Sequence, residues 1–284
     1  MIQTKDGYIW LATDEGAVRF DGVQFTLYDS SNTKAICNNN ISSFVEDNNS
    51  ALWIGTRGGG ICTYKNGTFK IKSLTDGLPG LNVNALCLDH TGTIWVGIES
   101  FGFAKWQNEK FSILAEKNQP NVGQFYVIYE FRNGELSYGV GGYQLKDATS
   151  EKIKLFPGRT GYVKGIVEDF IGRRWVGTDL GLYFQTEDSL VPVKYHGAPT
   201  SRPITVIFED SNHNIWIGTE GNGLFRYANG EFSSSSMEWR SVLLLILWEI
   251  MQKFTLPAEQ IQFQAKQFTY PIGIMFLYSM SGLP

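Results

Sequence analysis

Histidine is the side chain best suited to moving protons near neutral pH, and the chain holds three: His90, His196 and His213. A hydrolase or lyase would need one of them converging with acids or a nucleophile, and a metal site would need several ligands at short range. His90 lies in "DHTG" and His213 in "SNHN", two polar turns of the same type, while His196 lies in a different loop. No nucleophile elbow, phosphate-binding loop or HExxH motif is present in the sequence. The cysteines, Cys37, Cys62 and Cys87, form no CxxC and no even framework, so they read as structural thiols. No catalytic residue, metal ligand or cofactor is assigned on this basis. The remaining candidates are for binding. Asp14, Glu15, Arg57, Glu99, Phe101, Tyr143, Asp179 and Glu220 follow a recurring tryptophan segment and vary from copy to copy. Acids, one arginine and two aromatics suit a small polar ligand such as a carbohydrate.

The elements that place these residues repeat at a fixed interval. Trp10, Trp53, Trp95, Trp175 and Trp216 are separated by 43, 42, 80 and 41 residues. The interval of 80 hides a degenerate copy, "VIYEFRNGELSYGV" (127–140), with Ser137 where tryptophan is expected. Each full copy reads as an alternating apolar segment ending in an acid pair, a polar turn, the tryptophan segment and two further alternating segments. Asp47, Asp89, Asp169 and Asp210 each stand six positions before a tryptophan, where a carboxylate can accept turn N–H groups. "NG" at 66–67 and 229–230 signals tight hairpins. Period-two alternation bounded by Gly, Asn and Asp marks strands. Four of them per copy of about 41 residues give an all-β fold, a β-propeller of about six four-stranded blades. The blades fall near 1–33, 38–80, 81–120, 121–160, 161–202 and 203–237, the first lacking its own first strand. In this arrangement the tryptophans lie between blades, and the loops after the second and fourth strands share one face.

Composition excludes other classes. A net charge of −4 and a pI near 5.5 argue against nucleic-acid binding. The start, "MIQTKDGYIW", has no signal-peptide pattern, and the longest apolar run, "VLLLILW" (242–248), is too short to span a bilayer. Residues 238–284 form an atypical tail without a repeat match. Its stretch 241–248 could supply a ring-closing strand, or the whole tail could reflect a truncated or frame-disrupted gene.

The phrases "ITVIFEDSNHNIWIGTEGNGLFRY" (204–227) and "QTKDGYIWLATDEGAVRFDGVQFTLYD" (3–29) resemble the two-component regulator propeller repeat, over about residues 3–236. That resemblance implies a ligand-sensing region from the periplasmic or extracytoplasmic part of a bacterial receptor, such as a hybrid histidine kinase or a diguanylate cyclase receptor. It implies no enzymatic activity of the propeller itself and allows self-association through the sensor region. Two alternatives stand beside it: a propeller enzyme of the streptogramin-lyase type, and a protein-interaction scaffold without a small ligand.

Overall fold

The computed structural model describes residues 1–114, 125–140, 144–147, 162–186, 189–199 and 202–235. The tail at 238–284, with its expected strand at 241–248, and Tyr143 lie outside the described residues. Six antiparallel sheets follow one another along the chain, each with its strands in sequence order. Blade one is β1 (Ile2–Gln3), β2 (Ile9–Ala12), β3 (Ala17–Phe20) and β4 (Phe25–Tyr28). Blade two is β5 (Ile41–Glu46), β6 (Leu52–Thr56), β7 (Gly60–Lys65) and β8 (Thr68–Lys72). Blade three is β9 (Val83–Leu88), β10 (Ile94–Ile98), β11 (Gly102–Gln107) and β12 (Lys110–Leu114). Blade four is β13 (Phe125–Glu130), β14 (Leu136–Val140) and β15 (Gln144–Asp147). Blade five is β16 (Val163–Glu168), β17 (Arg174–Thr178), β18 (Gly181–Gln185) and β19 (Leu190–Pro192). Blade six is β20 (Ile204–Glu209), β21 (Ile215–Thr219), β22 (Leu224–Ala228) and β23 (Glu231–Ser235). The one helical turn among the described residues is a 3-10 turn at Leu74–Asp76.

Two expectations are corrected. Among the described residues five blades, not six, have four strands; the three-stranded sheet is blade four, where the repeat is most degraded. Blade one is not the incomplete one, because Ile2 and Gln3 pair with Trp10 and Ile9 and supply a short first strand. The first strands line the axis side by side: β5 beside β9, β9 beside β13, β13 beside β16 and β16 beside β20. The hairpin at Asn66–Gly67 has positive φ at both residues, 49° and 79°, as does Asn229–Gly230 at 51° and 90°. That is the backbone a two-residue turn with the twist of its strands requires.

The tryptophans join blades. Trp10 is 1% exposed, Trp53 4%, Trp95 8% and Trp175 0%, each covered by the blade that follows. Trp53 packs on Val83, Ile94 and Val96 of blade three, and Trp175 on Ile204, Ile207 and Tyr227 of blade six. Trp216 departs from the expected burial and is only half-buried. Among the described residues no blade follows the sixth to cover it, and it is flanked by Phe208 and Arg226 of its own sheet.

In blades two, four and five the glycine of the second strand is set by the same interface. A Cβ on Gly55 would approach Val83 to 2.9 Å, one on Gly139 would meet Val163 at 2.5 Å, and one on Gly177 would meet Ile204 at 2.6 Å. Each of these partners belongs to the first strand of the next blade, so the missing side chain lets the sheets close together. Gly177→Ala is expected to overpack this contact and cost about 1–3 kcal/mol, seen as a lowered midpoint in urea unfolding.

Candidate functional site

The two ends of the blades carry different chemistry. At one end are the turns between first and second strands, where each aspartate of the repeat closes a loop. Asp47 accepts the N–H groups of Asn49 and Ala51 at 2.9 and 2.8 Å, and the indole N–H of Trp53 at 3.0 Å. Asp89, Asp169 and Asp210 make the same bonds to Trp95, Trp175 and Trp216, at 2.7, 2.9 and 2.7 Å. The spacing of six carried this signal, yet only the turn contacts, not the indole bond, were read from it. Burial opposes ionisation of Asp89 and Asp210. In each, the bonds from the indole, a neighbouring side chain and turn N–H groups outweigh it and hold the carboxyl below its ordinary range.

The glutamate that ends the first strand does a different job that the sequence reading missed. Glu46 accepts the N–H of Lys5 at 2.8 Å, Glu130 that of His90 at 2.8 Å, Glu168 that of Arg132 at 2.7 Å and Glu209 that of Phe170 at 2.8 Å. Each bond crosses to the turn of the preceding blade, so the acid pair divides into a clamp within the blade and a clasp between blades. At the junction of blades two and three Leu88 stands at the glutamate position. His90 also bonds Glu130 through its imidazole, and the carboxylate raises its pKa above the ordinary histidine value. His213 meets Glu209 at 3.3 Å and stacks on Phe170. Both histidines are exposed and belong to this clasped rim. Among the described residues no three His, Cys, Asp or Glu side chains gather closely enough to hold a metal ion. Burial pushes the thiols of Cys62 and Cys87 up to about 12, which makes them poor nucleophiles.

The opposite end carries the candidate binding residues. There the loop between second and third strands is tied to the chain entering the first strand. Arg57 donates its backbone N–H to Asn40, Glu99 to Asn82, Asp179 to Tyr162 and Glu220 to Pro203, at 2.9, 2.9, 3.1 and 2.9 Å. The carboxylate of Asp179 answers by accepting the Tyr162 N–H at 2.7 Å. These ties fix four loop positions relative to the axis-lining strands.

Three of the expected residues act on one side chain. Asp179 of blade five, Glu220 of blade six and Arg57 of blade two all act electrostatically on Lys164, the second residue of β16. Lys164 itself was not singled out, because a lysine inside an alternating strand pattern reads as an ordinary strand position. Its ammonium lies 5.7 Å from the centroid of the Tyr162 ring. Burial lowers its pKa first; Asp179 and Glu220 act to raise it and Arg57 to lower it further. The other candidates stand as follows. Asp14 and Glu15 are exposed in the blade-one turn, where the Glu15 N–H bonds the Thr13 hydroxyl at 3.2 Å. Phe101 lies against Gly80, where an added Cβ would come within 2.7 Å of its ring. Glu99 is held through its backbone to Asn82.

A six-sheet propeller with clamped turns on one rim and variable, tethered loops on the other is a scaffold of repeated blades. Residues 35–58, 77–100 and 199–221 match the two component regulator propeller family. The fold is shared with the extracellular domain of a hybrid two component system from B. thetaiotaomicron, at 24% identity and a TM-score of 0.69, over 82% of this chain and 34% of that one. A second extracellular domain from B. thetaiotaomicron, of a one component system, aligns at 20% identity and a TM-score of 0.67, over 82% and 32% of the two chains. A catalytically inactive virginiamycin B lyase from Staphylococcus aureus, solved with quinupristin, shares the fold at 15% identity and a TM-score of 0.68, over 84% of each chain. The chain thus spans about a third of the length of the two extracellular domains. No curated protein matches it in sequence.

Proposed function

We propose that this propeller is the ligand-recognising part of a bacterial signal-transduction receptor, placed outside the cytoplasmic membrane, and that it binds a small polar ligand such as a carbohydrate at the axial mouth. The observation that carries the reading is the set of loops on one rim, at Arg57, Glu99, Asp179 and Glu220, each tied by a backbone bond to the chain entering the first strand of its blade. Repeats of the regulator propeller family and the fold shared with extracellular receptor domains support it. Charged planar groups on tethered loops suit hydroxyl recognition, because binding residues on loops work when a rigid scaffold positions them. The test is a thermal-shift panel of sugars and other small polar solutes. A bound ligand at about a hundredfold its Kd should stabilise the fold by about 2.7 kcal/mol and raise the midpoint accordingly. Asp179→Asn and Glu220→Gln should each reduce that rise. A panel without any response overturns the reading.

An enzymatic reading has one observation in its favour, the fold shared with virginiamycin B lyase over most of both chains. Against it, His90 and His213 bond to glutamates on the clasped rim, at the opposite end of the blades from the mouth. Incubation with quinupristin is expected to leave it intact; cleavage abolished by changing His90 or His213 would favour the enzyme.

A further inference from the structure

Among the described residues, the face of blade six that carries Trp216 lacks the cover its counterparts have. In blades one, two and five the tryptophan packs on the first and fourth residues of the next first strand. Trp10 meets Ile41 and Phe44, Trp53 meets Val83 and Leu86, and Trp175 meets Ile204 and Ile207. Beside the half-buried Trp216, Thr205 is exposed and Phe208 only half-buried. The same positions elsewhere are engaged: Ser42 of blade two donates its hydroxyl to the Val83 carbonyl of blade three at 2.5 Å, and Val167 of blade five is buried against blade six. The strand β1 of blade one does not carry the two covering positions. Ile2 pairs with Trp10 as Val45 pairs with Trp53, so Ile2 and Gln3 are the fifth and sixth positions, and Ile2 packs within its own blade.

We infer that residues 244–249, "LLILWE", occupy this face as a further first strand, with Leu244 and Leu247 against Trp216 and Glu249 as its clasp. Register, interval and reach all agree. The strands Ile41–Glu46, Val163–Glu168 and Ile204–Glu209 each have apolar first and fourth residues and a glutamate in the sixth place, and Leu244, Leu247 and Glu249 repeat that set. Glu168 and Glu209 stand 41 residues apart, Glu209 and Glu249 40. Eight residues separate Ser235 from Leu244, against eleven between Pro192 and Ile204. Eight extended residues reach about 26 Å, more than the roughly 14 Å of three strand spacings that lie between the outer and inner edges of a blade. Burying two leucines on an indole face removes apolar area from water on both sides. The clasp follows the rule of the other junctions. Glu168 and Glu209 accept the N–H groups of Arg132 and Phe170, each one residue past the aspartate position of the preceding blade; the equivalent donor for Glu249 is the Ser211 N–H. A lone strand offers no counterpart of Tyr227, which adds to the cover of Trp175, so Trp216 stays the less enclosed of the two rings. The inference concerns the closing of the blade array and stands apart from ligand binding at the mouth.

Hydrogen exchange of the full chain, read by mass spectrometry, tests it. Amides of 244–249 are expected to exchange about tenfold or more slowly than in the urea-unfolded chain. Leu247→Asp should abolish that protection and speed exchange in Ile215–Thr219. Leu245→Asn is the control, because the second position is polar in blades two, three, five and six, at Ser42, Asn84, Lys164 and Thr205. It should leave protection in place. Should Leu247→Asp disturb the whole fold, Glu249→Ala removes only the clasp and should speed exchange at the Ser211 amide; an unchanged Ser211 would overturn the register. Fast exchange across 244–249 in the unaltered chain would overturn the inference, as would equal effects of Leu247→Asp and Leu245→Asn. A concentration-dependent dimer in light scattering, with 244–249 unprotected, would overturn it in favour of a second copy on that face.

Discussion

Trp175→Ala is expected to lower the unfolding free energy by about 3–5 kcal/mol, measured from urea titrations followed by intrinsic fluorescence or circular dichroism. The indole is fully buried and touches both blades that it joins. It lies 4.4 Å from the Phe184 ring in its own sheet and 5.0 Å from the Tyr227 ring in the next. Truncation therefore opens a cavity at an interface rather than at a surface. Trp216→Ala is the control, because that ring occupies the same position in its repeat but is only half-buried. It should cost distinctly less. Equal losses at the two positions would mean that the aromatic acts within its own sheet, through the turn, and not between blades. The comparison also bears on cooperativity. In an array whose units contact only their neighbours, the loss of one interface divides the chain into two groups of blades. Trp175→Ala should then broaden the transition as well as shift it.

Much of this architecture was legible because repetition amplifies weak signals. One "IWVGI" segment is a short apolar run, but five copies at one interval define a blade. The aspartate six residues before each tryptophan was visible as a pattern, and its place at a turn followed from the chemistry of a carboxylate near free N–H groups. The indole bond was not read, although it explains why Phe131 and Ser137 replace both members of the pair together in blade four. Phe131 is buried there under the Arg174 guanidinium, 3.6 Å from its centroid, and Ser137 is buried too. An aspartate without its indole would have been a buried acceptor with a bond missing, so losing one member favours losing the other.

The site was less legible for a reason of geometry. Arg57, Asp179 and Glu220 could be chosen from loop variability, but whether loops from blades two, five and six approach one another depends on how the sheets are arranged around the axis. Lys164 stayed hidden because its strand reads as "VKGIVE", in which a lysine in the second place looks like an ordinary solvent-facing residue. The glutamate clasps were hidden for the same reason. Nothing local distinguishes Glu168, which reaches into the preceding blade, from Asp169, which turns back into its own.

The second large effect is expected at that aspartate. Asp169 is 1% exposed, and its carboxylate receives the N–H groups of Ile171 and Arg173 at 3.2 and 2.7 Å, Arg173 Nε at 2.7 Å and the Trp175 indole at 2.9 Å. Asp169→Ala removes every one of these acceptors at once and leaves the indole N–H buried without a partner. Breaking a buried charge pair from one side costs about 3–5 kcal/mol, of which much is the penalty on the group left behind. Part of that is relieved here because the Arg173 guanidinium reaches the Tyr227 hydroxyl at 2.9 Å and is itself one-third exposed. The lower end of the range is therefore expected. Asp169→Asn keeps one carbonyl oxygen, which can serve the turn or the indole but not both, and should fall about midway. A double-mutant cycle with Trp175→Phe separates the indole bond from the turn. Phenylalanine removes the N–H that needs the acceptor, so Asp169→Ala should cost about 1–3 kcal/mol less in that background. The same logic sets the acid limit of the fold. The carboxyls of Asp89 and Asp210 are held below their ordinary range, so their contribution is complete above the unfolded value of about 3.9 and is lost as pH falls through the lower folded values. Stability should accordingly be flat above about pH 5 on account of these groups and fall steeply below about pH 4. Additive costs in the cycle would place the aspartate's role wholly in the turn and leave the indole bond without energetic weight.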